Sequence, residues 1–289
     1  MARIAITLGD PSGIGPEVVN GALADPRISG LAEFTILGST DGFEPGRPTP
    51  ASARAALAAL EEAVAGAKSG KFDGVVTGPI SKQPMHAIGF DFPGQTEFFA
   101  ARTGTTNHAM CLTGGPLTVG LVTAHVPLKN VPEMLTISEI CRVSKLLATF
   151  VHRRGVQTPR IAVAGLNPHA GEGGDLGNEE LDIIAPAVRR LQAEDTTTTF
   201  TGPLPPDTVF FRAAAGEFDA IVCMYHDQGL IPLKLLAFDC GVNVTLGLPF
   251  PRTSPDHGTA FEIAGKGVAR PDSMIAAIQL CVELAQRRA

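Results

Sequence analysis

The sequence alternates, from one end to the other, between short apolar runs rich in β-branched residues and longer stretches with helical periodicity. Such runs are typical of strands buried on both faces of a sheet, and their alternation with helices favours a largely parallel sheet covered on both sides. The predicted strands are 3–8, 33–38, 73–77, 160–165, 219–224 and 242–247, with a hairpin across 109–124, and the predicted helices are 16–24, 51–67, 95–103, 137–154, 179–193, 207–215 and 271–287.

Glycine and proline cluster at 41–50, 78–94, 171–177 and 247–258. The last three clusters lie beside the ends of predicted strands, where the loops of α/β proteins carry chemistry. The chain has 289 residues, which is long enough for two domains of ordinary size. We therefore expect two α/β/α lobes with mostly parallel sheets and a cleft between them.

Composition excludes several classes of protein. The chain has a net charge of −6, no Trp, one Tyr and no long Lys/Arg block, which is unlike a nucleic-acid-binding protein. Its first apolar run, residues 4–8, is too short for a signal peptide or a membrane span, so we expect a cytoplasmic protein without a membrane partner. Five cysteines without a C-x-x-C pair indicate free thiols rather than disulfides or zinc ligands.

Three of the seven histidines, His125, His169 and His226, each follow a short apolar run. Because parallel strands end at one edge of a sheet, we expect these imidazoles at that edge. Neutral imidazole is the commonest metal ligand, and three ligands leave coordination positions for a substrate oxygen, which predicts a catalytic divalent metal. The alternative is a structural role for each histidine, since gaps of 44 and 57 residues match no local metal motif.

Three further segments suit an anion. The turn Gly-Asp-Pro-Ser-Gly-Ile-Gly-Pro at 9–16 leads into a helix, and it is either a weak phosphate cradle or a tight structural turn. The same two interpretations apply to Thr-Gly-Pro-Ile-Ser-Lys at 77–82. The stretch 225–252 contains Lys234, Asn243 and Arg252, which suit a phosphorylated or carboxylated substrate unless the two cations are surface charges.

Five long motifs carry a family likeness: Leu-Asn-Pro-His-Ala-Gly-Glu-Gly at 166–173, Gly-Pro-Leu-Pro-Pro-Asp-Thr at 202–208, Tyr-His-Asp-Gln-Gly-Leu at 225–230, Val-Asn-Val-Thr-Leu-Gly-Leu-Pro at 242–249 and Arg-Thr-Ser-Pro-Asp-His-Gly-Thr-Ala at 252–260. Together they closely resemble the 4-hydroxythreonine-4-phosphate dehydrogenase family of pyridoxal phosphate biosynthesis. The resemblance implies metal ligands at His125, His169 and His226, and substrate contacts at Thr96, Lys234, Asn243 and Arg252.

By the same resemblance, the fold is isocitrate/isopropylmalate dehydrogenase-like, with an NAD-binding lobe at 1–102 and 241–289 and a substrate, metal and dimerisation lobe at 103–240. The implied reaction is NAD- and metal-dependent oxidation of 4-phosphooxy-L-threonine to a β-keto acid, which decarboxylates to 3-amino-2-oxopropyl phosphate. Zinc is the favoured metal, with cobalt, manganese and magnesium as alternatives. Lys234 and Asp207 are the candidates for proton transfer and charge stabilisation, and the site is expected at a homodimer interface.

The segment 257–271, His-Gly-Thr-Ala-Phe-Glu-Ile-Ala-Gly-Lys-Gly-Val-Ala-Arg-Pro, is similar to the adenosine-binding stretch of isopropylmalate-type dehydrogenases. The likeness implies that Glu262 hydrogen-bonds the ribose hydroxyls and repels a 2′-phosphate, which favours NAD over NADP. Arg270, where the related pattern has Asn, weakens that preference. The implied cofactor contacts are His257, Gly258, Thr259, Ala260 and Glu262.

One position departs from the family pattern and leaves the substrate open. Where members typically read Gly-His-Thr-Glu, this chain has Gly-Gln-Thr-Glu at 94–97, so Gln95 puts an uncharged amide in place of a substrate-contacting imidazole. A dehydrogenase for 4-phospho-D-threonate or 4-phospho-D-erythronate is therefore an alternative. Two alternatives from other classes are a metal-dependent hydrolase or aldolase without NAD, and a catalytically silent metabolite-binding protein.

Overall fold

The computed structural model describes residues 1–287, and the chain divides into two compact α/β units. The first unit comprises Met1–Thr106 and the segment from Asp239 onward, and the second comprises Asn107–Phe238. Among the described residues, no helix combines the length and the hydropathy needed to span a bilayer. All five cysteines are free thiols.

The strands of the described residues are β1 (Arg3–Thr7), β2 (Glu33–Leu37), β3 (Gly74–Thr77), β4 (Ala109–Gly114), β5 (Leu117–Leu121), β6 (Arg160–Ala164), β7 (Thr199–Leu204), β8 (Ala220–Cys223), β9 (Val242–Leu246) and β10 (Arg252–Pro255). The helices are α1 (Gly15–Leu23), α2 (Pro50–Lys68), α3 (Lys82–Ala87), α4 (Gln95–Thr103), α5 (Val131–Met134), α6 (Ile137–Arg153), α7 (Ala185–Glu194), α8 (Pro206–Ala214), α9 (His226–Ala237) and α10 (Asp272–Gln286). A short 3₁₀ segment lies at Leu128–Asn130, a turn with left-handed backbone at residues 169–173 lies within Pro168–Gly174, and a π-helical turn lies at Glu180–Ile184.

In the first unit the strand order is β2-β1-β3-β10-β9. All neighbouring pairs are parallel except β9 with β10. The Ala-rich helix α2 packs on one face of these strands, in a core that includes Phe72, Phe98 and Phe99, and α10 contacts β3 and β10. The small residues of α2 allow this close packing, and the side chain of Thr49 caps the helix by accepting the Ser52 N–H.

In the second unit the strand order is β4-β5-β8-β6-β7. The β4–β5 hairpin is antiparallel, and β5, β8, β6 and β7 pair in parallel. Helices α8 and α9 pack on a core formed with β5, β6 and β8, and α6 also contacts β5 and β8. Parallel pairing places the carboxyl ends of β5, β8 and β6 along one edge.

The predicted fold class is confirmed in its mixed α/β character and in the parallel pairing of most strands, and the predicted elements are found within about two residues of their expected bounds. One predicted helix, 179–193, is wrong in detail because it consists of a π-helical turn followed by α7. The elements that the pattern did not predict include α3, α5, β7, α9 and β10. Strand β7 lies at the end of the strand order, where the Pro in its sequence costs no central ladder hydrogen bond.

Candidate active site

Parallel pairing of β5 with β8 brings two of the three predicted histidines together. The pairing continues beyond both strands, because the Val122 and Thr123 N–H groups donate to the carbonyls of Cys223 and Met224 at 2.9 and 3.2 Å. His125 and His226 follow directly, and the centroids of their rings are 5.6 Å apart. They line a cavity of about 460 Å³ with Ala124, Val126, Leu128, Val131, Tyr225, Asp227 and Ile231.

His226 begins α9, which carries it at the edge of this cavity. Its Nδ1 lies 2.7 Å from Asp227 Oδ1, so the carboxylate fixes one ring nitrogen and leaves Nε2 as the nitrogen for a ligand. Lys234 lies two turns further along α9 and is half-buried. The sequence analysis did not predict this helix, because Gly229 and Pro232 are both unfavourable inside a helix.

His169 follows β6 in a loop of unusual backbone conformation. Five consecutive residues, from His169 to Gly173, have φ between 47° and 80°. A left-handed conformation costs a residue with a Cβ about 1–2 kcal/mol, so His169, Ala170 and Glu172 hold this shape only because other contacts impose it. The His169 side chain is 65% exposed, and its Nδ1 lies 2.9 Å from Glu172 Oε2.

The three imidazoles do not form one cluster within a single chain, and the predicted ligand set stays a prediction. Across residues 1–287, no group of three or more His, Cys, Asp or Glu side chains is close enough together to hold a metal ion. His125 and His226 share a cavity, and His169 is not among the residues that line it.

Two buried side chains that the sequence analysis did not select support these strand ends. Glu180, 2% exposed, accepts the Leu166 and Asn167 N–H groups on Oε1 at 2.6 and 2.7 Å. Gln228 donates from Nε2 to the Gly165 carbonyl at 2.6 Å and accepts the Met224 N–H at 2.7 Å. Gln228 therefore connects the end of β6 to the end of β8, which are the strands that precede His169 and His226.

Asp207, the second predicted proton-transfer residue, lies in the first turn of α8 and is exposed. Helix α8 contacts the Pro168–Gly174 segment, so Asp207 belongs to the same part of the second unit as the His169 loop. Asp207 thus lies at the start of α8, and Lys234 lies along α9. Both helices border the strand ends of this unit.

In the first unit, Arg252 is a deeply buried charge, with 2% of its surface exposed. Its Nη2 donates to Thr77 Oγ1 at 2.5 Å and to Gln95 Oε1 at 3.0 Å, and its Nη1 donates to Thr245 Oγ1 at 3.3 Å. Its Nε has no hydrogen-bond partner among residues 1–287. Burial lowers the pKa of the guanidinium to about 10, an effect that the charge of Glu97 partly opposes, so Arg252 is cationic at neutral pH.

Three of the other predicted substrate residues, Gln95, Thr96 and Asn243, lie in the first unit with this guanidinium, whereas Lys234 lies in the second. Gln95 Nε2 donates to the Gly78 carbonyl at 3.0 Å, so the amide joins Arg252 to the loop after β3. Thr96 Oγ1 lies 3.2 Å from Thr245 Oγ1. Asn243 is on β9, two residues before Thr245, and its buried Oδ1 has no hydrogen-bond partner within the described part of the chain. A buried cation with neutral partners and unpaired polar atoms nearby is an arrangement that an anionic, hydrogen-bonding ligand would complete.

The backbone hydrogen bonds of the turn at 9–16 favour a structural turn over a phosphate cradle. Its Asp10, Gly13 and Ile14 N–H groups donate to the carbonyls of Pro79, Asp10 and Thr259 at 2.9 Å each, so they are not available to a phosphate. A Cβ at Gly13 would lie 2.9 Å from the Thr259 carbonyl. The turn therefore supports the 257–262 segment directly.

The predicted cofactor segment has features suited to a ligand. Gly258 has open space where a Cβ would stand, Ala260 has φ +41°, and the Glu262 side chain is exposed. Burial lowers the pKa of His257, whose Nε2 has no partner. Arg270 forms ion pairs with Asp239 at 3.0 Å and Asp272 at 3.5 Å, so its charge is engaged away from Glu262.

Comparison with known proteins identifies the family. A sequence model of the pyridoxal phosphate biosynthetic protein PdxA family matches residues 18–281. The chain belongs to this family. It is 44% identical to a 4-hydroxythreonine-4-phosphate dehydrogenase of Erythrobacter litoralis, over 99% of this chain and 97% of that protein. The predicted family likeness is thus confirmed.

Solved structures of related proteins confirm the fold. The crystal structure of 4-hydroxythreonine-4-phosphate dehydrogenase from Klebsiella pneumoniae matches with a TM-score of 0.88 and 38% identity, and covers 99% of this chain and 98% of that one. Isocitrate dehydrogenase from Methylococcus capsulatus matches with a TM-score of 0.55 and 16% identity, over 99% and 88% of the two chains. The second match shows that the PdxA family chain has the isocitrate dehydrogenase-like fold.

The donor chemistry of this PdxA family member fits a divalent metal. His169 and His226 each have Nδ1 beside a carboxylate oxygen, at 2.9 and 2.7 Å. Metal-binding histidines commonly have such a partner, which fixes the tautomer and directs Nε2 to the metal. Asp227 directly follows His226 in sequence and Glu172 lies three residues after His169, but the role of these carboxylates was not evident before the ring positions were known.

Gln228 is expected to be essential for the stability of the second unit. Gln228→Ala leaves the buried Met224 N–H and Gly165 carbonyl without partners, which should lower the free energy of unfolding by about 2 kcal/mol or more. Urea unfolding followed by circular dichroism measures the change. Gln192→Ala is the matched control, because Gln192 also donates to a backbone carbonyl, that of Phe200 at 2.8 Å, but is exposed to water. Equal losses in the two variants would contradict the assignment.

Proposed function

We propose that this protein is an NAD-dependent, divalent-metal-dependent dehydrogenase that oxidises 4-hydroxythreonine 4-phosphate to a β-keto acid, which loses carbon dioxide to give 3-amino-2-oxopropyl phosphate. The names of its relatives in the PdxA family give the substrate class. The observation that carries the proposal is the buried Arg252, whose hydrogen-bond partners are all neutral oxygens. Such a guanidinium is suited to an anionic substrate group.

The first unit is proposed to bind substrate and NAD. Arg252 is held by Thr77, Thr245 and Gln95, so its orientation is set before any ligand arrives. Asn243 and Thr96 add an amide and a hydroxyl that can hydrogen-bond a substrate hydroxyl. The segment with His257, Gly258, Thr259, Ala260 and Glu262 is proposed to bind the adenosine part of NAD.

The second unit is proposed to supply the metal ligands His125, His169 and His226. A divalent metal bound there would act as a Lewis acid toward the oxygen of the substrate hydroxyl. Imidazole ligands favour zinc, with cobalt, manganese and magnesium as alternatives. Lys234 can donate a proton to, or stabilise, an oxygen that becomes negative, and Asp207 can accept a proton.

We propose that the active protein is a homodimer with the site at the interface. His169 does not join the other two histidines within one chain, so a second copy offers a way to complete the ligand set. The second unit also exposes large apolar side chains on α8, on α9 and directly after α9, which indicates a surface that a partner covers. These residues are Phe211, Ile231, Leu235 and Phe238, which are 67–83% exposed.

Oxidation of 4-phospho-D-threonate or 4-phospho-D-erythronate is the second candidate function, and Gln95 is the observation that favours it. Its side-chain oxygen accepts from Arg252, and its nitrogen donates to the Gly78 carbonyl. The side chain that a substrate would meet at this position is therefore a neutral amide. A hydrolase or aldolase without NAD is less consistent with the names of the relatives, as is a silent binding protein.

A panel of phosphorylated hydroxy acids decides among these functions. The purified protein is mixed with each acid, NAD and one divalent metal at a time, and NADH formation is followed by absorbance. We expect the highest kcat/KM with 4-hydroxythreonine 4-phosphate. A clear preference for a phosphorylated threonate or erythronate would select the second candidate, and absence of NADH formation with every acid would reject the dehydrogenase.

Removal of a metal ligand should abolish metal binding and activity together. His169→Ala and His226→Ala are each expected to lose bound metal and several decades of kcat/KM, because each removes one of the proposed ligands. Elemental analysis and circular dichroism measure metal content and folding. His152→Ala is the control, since His152 bonds the Val156 carbonyl and is not a proposed ligand. Full metal occupancy in His169→Ala would reject the ligand set.

Glu262 should set the preference for NAD over NADP. Glu262→Gln removes the negative charge that is expected to repel a 2′-phosphate, so the ratio of kcat/KM for NAD to that for NADP should fall. Steady-state kinetics with both cofactors measures the ratio. Glu283→Gln, a change on α10 outside the proposed cofactor segment, should leave it unchanged. The same ratio in Glu262→Gln and the parent protein would show that Glu262 does not face the ribose.

Arg252 should be required for the charged group of the substrate. A charge-assisted hydrogen bond contributes about 1.5–3 kcal/mol, so Arg252→Ala should raise KM for the phosphorylated substrate by roughly one to two decades. It should change any weak oxidation of the dephosphorylated analogue much less. Arg160→Ala, which removes an exposed ion pair with Asp219, is the control. Equal losses with both substrates would mean that Arg252 supports the fold instead.

A further inference from the structure

The loop that carries His169 has a conformation that its own residues disfavour. His169, Ala170 and Glu172 have φ of 52°, 55° and 47°, a region that glycine tolerates and other residues rarely adopt. Only Gly171 and Gly173 in this run are suited to it. A contact from outside the loop must therefore stabilise the conformation.

The side chain of Glu180 provides that contact from the π-helical turn. Its Oε1 accepts the Leu166 and Asn167 N–H groups, and its Oε2 accepts from Asn167 Nδ2 at 2.9 Å. The loop encloses the carboxyl group closely, because a Cβ at Gly165 or Gly171 would lie 3.0 or 2.7 Å from its oxygens. A buried carboxylate needs hydrogen-bond donors, and here the start of the loop supplies them.

Glu180 is not placed to be a ligand itself. It is 2% exposed, and it accepts three hydrogen bonds from the loop, so its lone pairs face the chain's own donors. The side chain of His169, by contrast, is 65% exposed, and the residue lies two positions beyond Asn167, the second of the bonded N–H groups. The two residues are thus joined through the backbone of residues 166–169.

We propose that Glu180 is a positioning residue for His169: its buried carboxylate fixes the left-handed loop, so that the imidazole is presented in its binding orientation before a metal arrives. This inference rests on the proposed function, in which His169 is a metal ligand. It predicts that loss of the carboxylate loosens the loop in the metal-free protein and weakens metal binding while leaving all three histidines in place.

The variant that tests this is Glu180→Gln. Its amide oxygen can still accept the two backbone N–H groups, but its NH₂ group meets the donating Nδ2 of Asn167. We expect metal affinity to fall roughly 10–100-fold, as for other residues that orient metal ligands. The matched control is Glu179→Gln, because Glu179 accepts from the same Asn167 Nδ2 at 2.7 Å but contacts none of the loop N–H groups. Its metal affinity should stay within about twofold of the parent protein.

Two measurements on the full chain test the stability of the loop conformation and the binding of metal by the ligand set separately. Hydrogen exchange of the metal-free protein should show faster exchange at the amides of Leu166 and Asn167 in Glu180→Gln only. Titration with Co²⁺ alone, followed by visible absorption, should show weaker binding and a spectrum changed toward that of His169→Ala. In the double variant with His169→Ala, the Glu180 change should have no further effect on Co²⁺ affinity.

A rescue variant separates positioning from a general loss of structure. Ala170→Gly lowers the cost of the left-handed conformation, so it should restore much of the Co²⁺ affinity of Glu180→Gln. If Glu180→Gln fails to fold, the same comparison is made with Asn167→Ala, which removes one of the three hydrogen bonds and should weaken Co²⁺ binding in a way that Ala170→Gly restores.

The outcomes distinguish the inference from the function on which it rests. Parent-like Co²⁺ binding in Glu180→Gln, together with loss of binding in His169→Ala, overturns the positioning role alone. Weakened binding that Ala170→Gly does not restore overturns it as well. Parent-like Co²⁺ binding in His169→Ala rejects the proposed ligand set, whatever the exchange of the loop amides shows.

Discussion

The parallel pairing of β5, β8 and β6 is the constraint on which the second unit depends. Because the three strands run in the same direction, their carboxyl ends lie along one edge, and the histidines that follow them emerge there. Backbone hydrogen bonds past the ends of β5 and β8, and the Gln228 side chain between β8 and β6, extend this order into the loops. The positions of His125 and His226 follow from it.

Two buried charges show how similar environments serve different purposes. The Glu180 carboxylate accepts three hydrogen bonds from one loop, so its hydrogen-bonding groups are satisfied within the chain. The Arg252 guanidinium also has neutral partners, but its Nε has none, and the Oδ1 of Asn243 on β9 is likewise unpartnered. Burying a charge without full compensation is costly, and such a cost is typical of binding sites. Glu180 thus stabilises structure, whereas Arg252 is suited to a ligand.

Periodicity was sufficient to predict most strands and helices, because the spacing of apolar residues indicates which faces of each strand or helix are buried. It was not sufficient for α9, since Gly229 and Pro232 interrupt the helical pattern and only packing on the sheet overrides them. The left-handed loop depends on Glu180, which lies 14 residues after Leu166 and cannot be recognised from local sequence. The glycines at 171, 173 and 174 were the one available signal of positive φ. Arg252 was selected as a cation suited to an anionic substrate, and again from the family motif, but its burial was not predictable.

Gln95 links the geometry of the first unit to the choice of substrate. It accepts from Arg252 and donates to the Gly78 carbonyl, a double task that a neutral amide performs without titrating near neutral pH. A protonated imidazole in its place would add a second positive charge close to the guanidinium. With Gln95 the cluster holds a single cation over the physiological pH range. In the proposed function, the charge available to a substrate anion is therefore fixed by Arg252, and we expect discrimination among phosphorylated acids to rest on the hydrogen bonds of Thr96, Gln95 and Asn243.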